Sequence, residues 1–260
     1  MKIYIQLLIL CASISLSCSK NINSAKPENK QGTTKEGKSP GEILHLKNWK
    51  LTLPVNTDRN GNPDEIKQPL LDTYTDEWFF TNKKQDAMVF KANAGGETTS
   101  GSNFPRSELR EMLEDGKPSA VWSSSAGKHT LFIDQKVTHL PDVRKHIVVG
   151  QIHDADKYVV FFRLEDRKLL VSVNKGERIT LDPNYELGTR FNVMFQVENN
   201  ETKCYYNGVL KYTYKGNFED AYFKAGAYVQ SSCKGNKKVE GESCSAYGEV
   251  EIFNVWTKHE

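Results

Sequence analysis

From about residue 41 to the C-terminus, apolar and polar positions alternate in short runs rather than recurring at helical spacing. "AMVFKAN", "HTLFIDQKVTHL", "HIVVGQIHD", "YVVFFRLED", "KLLVSVNK", "RFNVMFQVEN", "KCYYNGVLKYTY", "YFKAGAYVQ" and "GEVEIFNVWTK" come in close succession, many broken by Gly, Asn or Asp. Period-two alternation bounded by turn residues predicts β-strands. "EDRK" and "YNGV" read as tight hairpin turns, the second with an Asn-Gly pair suited to positive φ. Many short antiparallel strands with hardly any amphipathic helix predict one all-β domain, a β-jelly roll or sandwich. No internal repeat is visible.

Three segments put unusual residues on what should be their outer faces. In "AYFKAGAYVQ" (221–230), Phe223, Ala225, Ala227 and Val229 form an apolar face. The other face carries Tyr222, Lys224, Gly226, Tyr228 and Gln230. In "VVGQIHD", strict alternation places Val149, Gln151 and His153 together, with Gly150 and Ile152 opposite. In "FPRSELREML", Arg106, Glu108 and Arg110 share a face, with Leu109 and Leu113 opposite. Each segment alone suits a solvated or half-buried strand. Together they offer cations, amides, a histidine and a tyrosine that a curved sheet would gather into one groove.

Charge narrows the partner. Residues 1–40 hold six lysines and two glutamates, so 41–260 retain 29 basic and 31 acidic residues of the chain's 35 and 33. The domain is therefore no general nucleic-acid binder, and a polyanion would need cations concentrated in one cleft. The first 18 residues, "MKIYIQLLILCASISLSC", combine an early lysine, an apolar run and small residues ending at Cys18. That pattern predicts a signal peptide of lipoprotein type, with Cys18 lipidated, and a secreted or outer-membrane-anchored bacterial protein. A lipid anchor would be its one membrane contact, and a monomer is expected. Residues 19–40 lack apolar content and read as a tether. Of the remaining cysteines, Cys233 and Cys244 flank a short Gly/Lys-rich turn and are expected to pair after export, leaving Cys204 free. No Cys or His near them has ligand spacing, so no metal is expected there.

"RSELRE" (106–111), "QIH" (151–153) and "YFKAGAYVQ" (222–230), in this order, resemble the signature regions of alginate lyases of polysaccharide lyase family seven. "WKLTLP" (49–54) and the strand-rich remainder suit the same family, so the resemblance covers nearly all of 41–260. It implies a concanavalin-like β-jelly roll with a substrate groove, and cleavage of alginate by β-elimination with no cofactor or required metal. Ile152 in "QIH" implies, by the same resemblance, a lean toward guluronate-containing blocks.

The chemistry asks for such residues. Alginate is a chain of uronic acids, and elimination removes the C5 proton beside an ionised carboxylate. Arg106 offers a planar fork of donors that fits a carboxylate, and Gln151 adds an uncharged donor. His153 is a suitable base near neutrality. By resemblance Tyr228 is the acid at the glycosidic oxygen and could also serve as base if Arg106 and Lys224 favour its ionised form. His153 is then base or neutraliser, depending on which C5 epimer is cut. Arg110, Lys224 and Gln230 are expected to bind neighbouring uronates. Glu108 is grouped with them and expected to pair with an arginine.

Two other readings compete. A jelly-roll glycoside hydrolase needs two carboxylates flanking the bond, and no closely spaced acidic pair on a strand supplies them. A non-catalytic carbohydrate-binding module could use the same groove but has no need of His153 and Tyr228 beside Arg106 and Gln151.

Overall fold

The computed structural model describes residues 37–174 and 176–260. The expected signal peptide, Cys18 and most of the tether lie outside them. Gly37–Glu260 form one compact unit. Residues 37–40, which composition assigns to the tether, belong to this unit: Lys38 C=O accepts a hydrogen bond from Thr81 Oγ1, and Pro40 is buried.

Among the described residues, fifteen strands run in chain order. They are β1 (Trp49–Thr52), β2 (Glu65–Ile66), β3 (Phe79–Thr81), β4 (Met88–Asn93), β5 (Arg106–Glu111), β6 (Lys128–His139), β7 (His146–His153) and β8 (Tyr158–Glu165). The rest are β9 (Lys168–Val173), β10 (Arg178–Asp182), β11 (Phe191–Glu198), β12 (Glu201–Tyr206), β13 (Val209–Lys215), β14 (Tyr222–Val229) and β15 (Tyr247–His259). They form an eight-stranded sheet, β10-β9-β8-β7-β14-β5-β1-β2, and a seven-stranded sheet, β13-β12-β11-β6-β15-β4-β3. Pairing is antiparallel throughout. This is the jelly-roll sandwich that the alternation predicts. The one described α-helix is a single turn, Pro40–Ile43.

The predicted hairpins form where their turn residues dictate. Asp166 joins β8 to β9 at positive φ, and Asn207-Gly208 joins β12 to β13 with both residues at positive φ. The core lies between the sheets. Phe162 of β8 stacks on Phe195 of β11 with ring centroids 4.2 Å apart. The inward face of β14 is the predicted one, Phe223, Ala225, Ala227 and Val229, all fully buried. Burying each large apolar side chain contributes roughly 1.5–3 kcal/mol, so this face fixes which way the other one points.

Two local features depart from simple alternation. In β7 the pairing with β8 slips between Val148 and Gly150. Val149 therefore sits in the core with Ile147 and Ile152, not beside Gln151 and His153. A bulge adds one residue and turns the positions beyond it to the other face. Gly150 also faces inward, where a Cβ would stand 2.6 Å from Ile133 Cδ1 of the opposite sheet. In β14, Gly226 has φ +143°, and a Cβ there would come within 2.5 Å of the Ser107 carbonyl oxygen. Glycine is needed at 226 to let β14 lie against β5.

Cys233 and Cys244 form the expected disulfide, and Cys204 is free and fully buried.

Candidate active site

Strand order brings the three unusual segments together. β14 lies between β7 and β5, so "QIH", "YFKAGAYVQ" and "RSELRE" occupy adjacent strands although 40 to 70 residues separate them in the chain. Cross-strand partners share a face. One row across the sheet reads Phe161, Gln151, Lys224, Arg110 and Lys50. A second pairs His153 with Tyr222, and a third joins Arg163, Val148, Tyr228 and Arg106. These residues point away from the core, yet Arg106, Glu108, Gln151 and Lys224 are only 1 to 7% exposed. Polar groups so covered on an outer face mark the floor of a recess rather than a solvated surface.

Glu108 is the hub of that floor. Its Oε2 lies 2.6 Å from Lys224 Nζ and accepts from Arg106 Nη1 at 3.0 Å, while Oε1 accepts from Gln151 Nε2 at 2.6 Å. Burial alone would raise the Glu108 pKa, but Lys224 and Arg106 hold the carboxyl below its ordinary range. The same burial, with Arg106 beside it, pushes the Lys224 ammonium down to about 8. Glu108 thus pairs with an arginine as expected, and with a lysine and a glutamine besides. Both its oxygens are engaged within the protein, so it organises the cations and is in no position to transfer a proton.

Arg106 spends one N–H on Glu108 and lays its guanidinium 3.8 Å over the Tyr228 ring. Its Nε is buried and has no partner in the protein. Arg110 repeats the arrangement one row along, 3.9 Å over the Tyr222 ring, with Nη1 donating to the Glu111 carbonyl. Gln230 lies just past the end of β14; its backbone N–H bonds the His146 carbonyl, and its buried side-chain Nε2 is unpartnered.

His153 closes β7. Its Nδ1 lies 2.5 Å from the Asp154 carbonyl oxygen and 3.2 Å from the Tyr222 hydroxyl. A carbonyl can only accept, so Nδ1 carries the proton and Nε2 keeps its lone pair. Burial pushes the imidazole below its ordinary value, and the Asp154 hydrogen bond opposes this in part. His153 is therefore neutral at neutral pH, with Nε2 free to accept a proton. Tyr228 lies further along β14 than Tyr222, the strand partner of His153. Charged groups bridge the interval: His153 feels Lys224, Glu108 and Arg106, and Arg106 itself lies on the Tyr228 ring. The two proton-transfer candidates thus flank the Glu108 cluster from opposite ends.

The site holds more than the sequence reading singled out. Phe161 and Arg163 extend the floor onto β8, with Arg163 paired to Glu165. Tyr222 braces both His153 and Arg110. Ser102, in the loop between β4 and β5, lies 2.9 Å from the Tyr228 hydroxyl. Alternation in β8 could have pointed to Arg163, but nothing in a loop sequence points to Ser102. Ile152 is fully buried in the core, so it touches no sugar. Gly226 presents its missing side chain to β5, not to the groove. A cavity of about 930 Å³ opens at the β1–β2 edge, but Asp58, Asp64 and Glu65 line it and would repel a polyanion. Among the described residues no cluster of His, Cys, Asp and Glu could hold a metal ion.

With this geometry in hand, the alginate lyase family profile matches residues 44–259. The chain belongs to the alginate lyase family. It is 50% identical to an alginate lyase of polysaccharide lyase family 7, covering 85% of this chain and 99% of that one with a TM-score of 0.80. An alginate lyase from Corynebacterium sp. is 41% identical over 85% of this chain and 98% of its own, with a TM-score of 0.79. A curated alginate lyase from Klebsiella pneumoniae matches at 41% identity over 83 residues, 31% of this chain and 27% of that protein. Glu108, the buried carboxylate on this lyase's groove floor, is tied to three donors, so it cannot serve in the carboxylate pair that glycoside hydrolysis needs.

Proposed function

We propose that this lyase cleaves the 1,4-linkages of alginate by β-elimination on the face built by β7, β14 and β5. A uronate carboxylate seats against the free N–H groups of Arg106 and the second N–H of Gln151, whose first is spent on Glu108. Fixed donors in a water-poor recess stabilise the charge that develops as C5 loses its proton. His153 Nε2 takes that proton, the C4–O bond breaks, a C4=C5 double bond forms, and Tyr228 gives its proton to the leaving oxygen. Lys224, Arg110 and Gln230 hold neighbouring uronates. Guluronate-containing blocks are the favoured substrate on family resemblance alone. The chain is exported and held by a lipid on Cys18, a reading that the apolar run and small residues before Cys18 support, and it works as a monomer.

The observation that carries the mechanism is Arg106. It is anchored by Glu108, stacked on Tyr228, and left with a buried, unpartnered Nε. An unmet donor there costs stability unless a ligand satisfies it. Incubation with alginate tests the reaction class. A lyase leaves an unsaturated sugar and ultraviolet absorbance rises, whereas a hydrolase or a binding module leaves it flat.

A further inference from the structure

Ser102 is held from several directions. Its N–H bonds the Thr99 carbonyl at 2.9 Å, and its Oγ accepts from the Phe104 N–H at 3.0 Å. Just beyond, the Pro105 carbonyl accepts from Val229 N–H of β14 at 3.1 Å, tying the loop to the strand that carries Tyr228. The hydroxyl has one proton left to place and two acceptors within reach, the Phe104 carbonyl at 3.1 Å and the Tyr228 oxygen at 2.9 Å.

Those two choices match the two protonation states of Tyr228. While the phenol is neutral, its O–H can donate to Ser102 as Ser102 donates to Phe104. Once the phenol has given its proton to the leaving oxygen, the phenolate can only accept, and the Ser102 proton swings from Phe104 to meet it. From these contacts we infer that Ser102 is a positioning residue that aims the Tyr228 hydroxyl and stabilises its ionised form during turnover. Arg106 lies over the ring face, Glu108 and Lys224 are the charged groups beyond it, and Ser102 is the neutral donor at the oxygen itself. The proton balance closes: Tyr228 loses one to the C4 oxygen, His153 holds the one from C5, and exchange through solvent restores both. The inference rests on the proposed role of Tyr228.

Steady-state kinetics on alginate with Ser102→Ala, Ser102→Thr, Tyr228→Phe and the Ser102→Ala/Tyr228→Phe double variant test it. Ser102→Ala is expected to lower kcat by roughly tenfold, about one ordinary hydrogen bond, with KM little changed and the pH profile of kcat displaced. Ser102→Thr keeps the hydroxyl and should recover most of the rate. In the Tyr228→Phe background the alanine change should have no further effect, because the hydroxyl it serves is gone. Full kcat in Ser102→Ala, or the same loss in both backgrounds, would overturn the inference and leave Ser102 as a loop brace. Near-normal turnover in Tyr228→Phe alone would instead overturn the reading beneath it.

Discussion

Lys224 Nζ and Glu108 Oε2 lie 2.6 Å apart on the groove floor, and both side chains are buried. Three donors converge on this one carboxylate, Arg106 from its own strand, Lys224 from β14 and Gln151 from β7, so side-chain bonds reinforce the backbone ladder that joins β7, β14 and β5. Removing one partner of such a pair leaves the other charge uncompensated.

Glu108→Ala is accordingly expected to destabilise the fold by about 3–5 kcal/mol, the usual scale for breaking a buried ion pair. In a domain of this size that lowers the melting temperature by roughly 10 °C. Thermal unfolding monitored by circular dichroism measures it. An unchanged midpoint would mean that Lys224 and Arg106 find water or each other tolerable, and that the carboxylate is not the hub.

The low-lying titration of Lys224 gives binding a pH dependence. Its ammonium is charged below about 8 and neutral above. Raising the pH through that value removes a cation from the floor, so affinity for alginate oligomers should weaken on the alkaline side. Calorimetric titration at a series of pH values shows it. Lys224→Ala should bind weakly at every pH, lose affinity more than turnover, and lack this transition.

As the proposed base, His153 is expected to set the acid side of the pH profile. Burial lowers its pKa, so the base stays unprotonated below the ordinary imidazole range. The acid limb of kcat/KM should therefore fall below about 6.5, the reference value for histidine. His153→Asn should abolish that limb with a rate loss of roughly 10²-fold or more. A pH–rate profile of both proteins is the check, and an acid limb surviving the substitution would assign it to another group.

Much of the fold and site was legible in the chain. The inward face of β14 follows from alternation, because four successive odd positions are apolar and none is charged. The residues of the three motifs meet on adjacent strands, as their shared polar faces suggest, and Cys233 and Cys244, which flank one turn, form the expected disulfide. The features that alternation misses are set by contacts between strands distant in sequence. The β7 bulge that buries Val149 is a matter of register with β8, and the need for glycine at 226 arises from the approach of β5. The role of Glu108 as hub requires knowing that β14 lies between β5 and β7, an order no local pattern encodes. Ser102 is likewise invisible, since its partner is 126 residues away and the loop around it has no period.

Catalysis in this scheme turns on a proton passing between Tyr228 and the substrate, and Tyr228→Phe is the sharpest probe of it. The substitution keeps the ring under Arg106 and removes one hydroxyl. Turnover on alginate and affinity for alginate oligomers are measured side by side with the parent enzyme. Turnover should fall by roughly 10²-fold or more, the scale for losing a positioned acid or base, while affinity barely changes because Arg106, Arg110 and Lys224 remain. Near-normal turnover with the hydroxyl gone would remove Tyr228 from the mechanism and leave His153 as the remaining proton-transfer group.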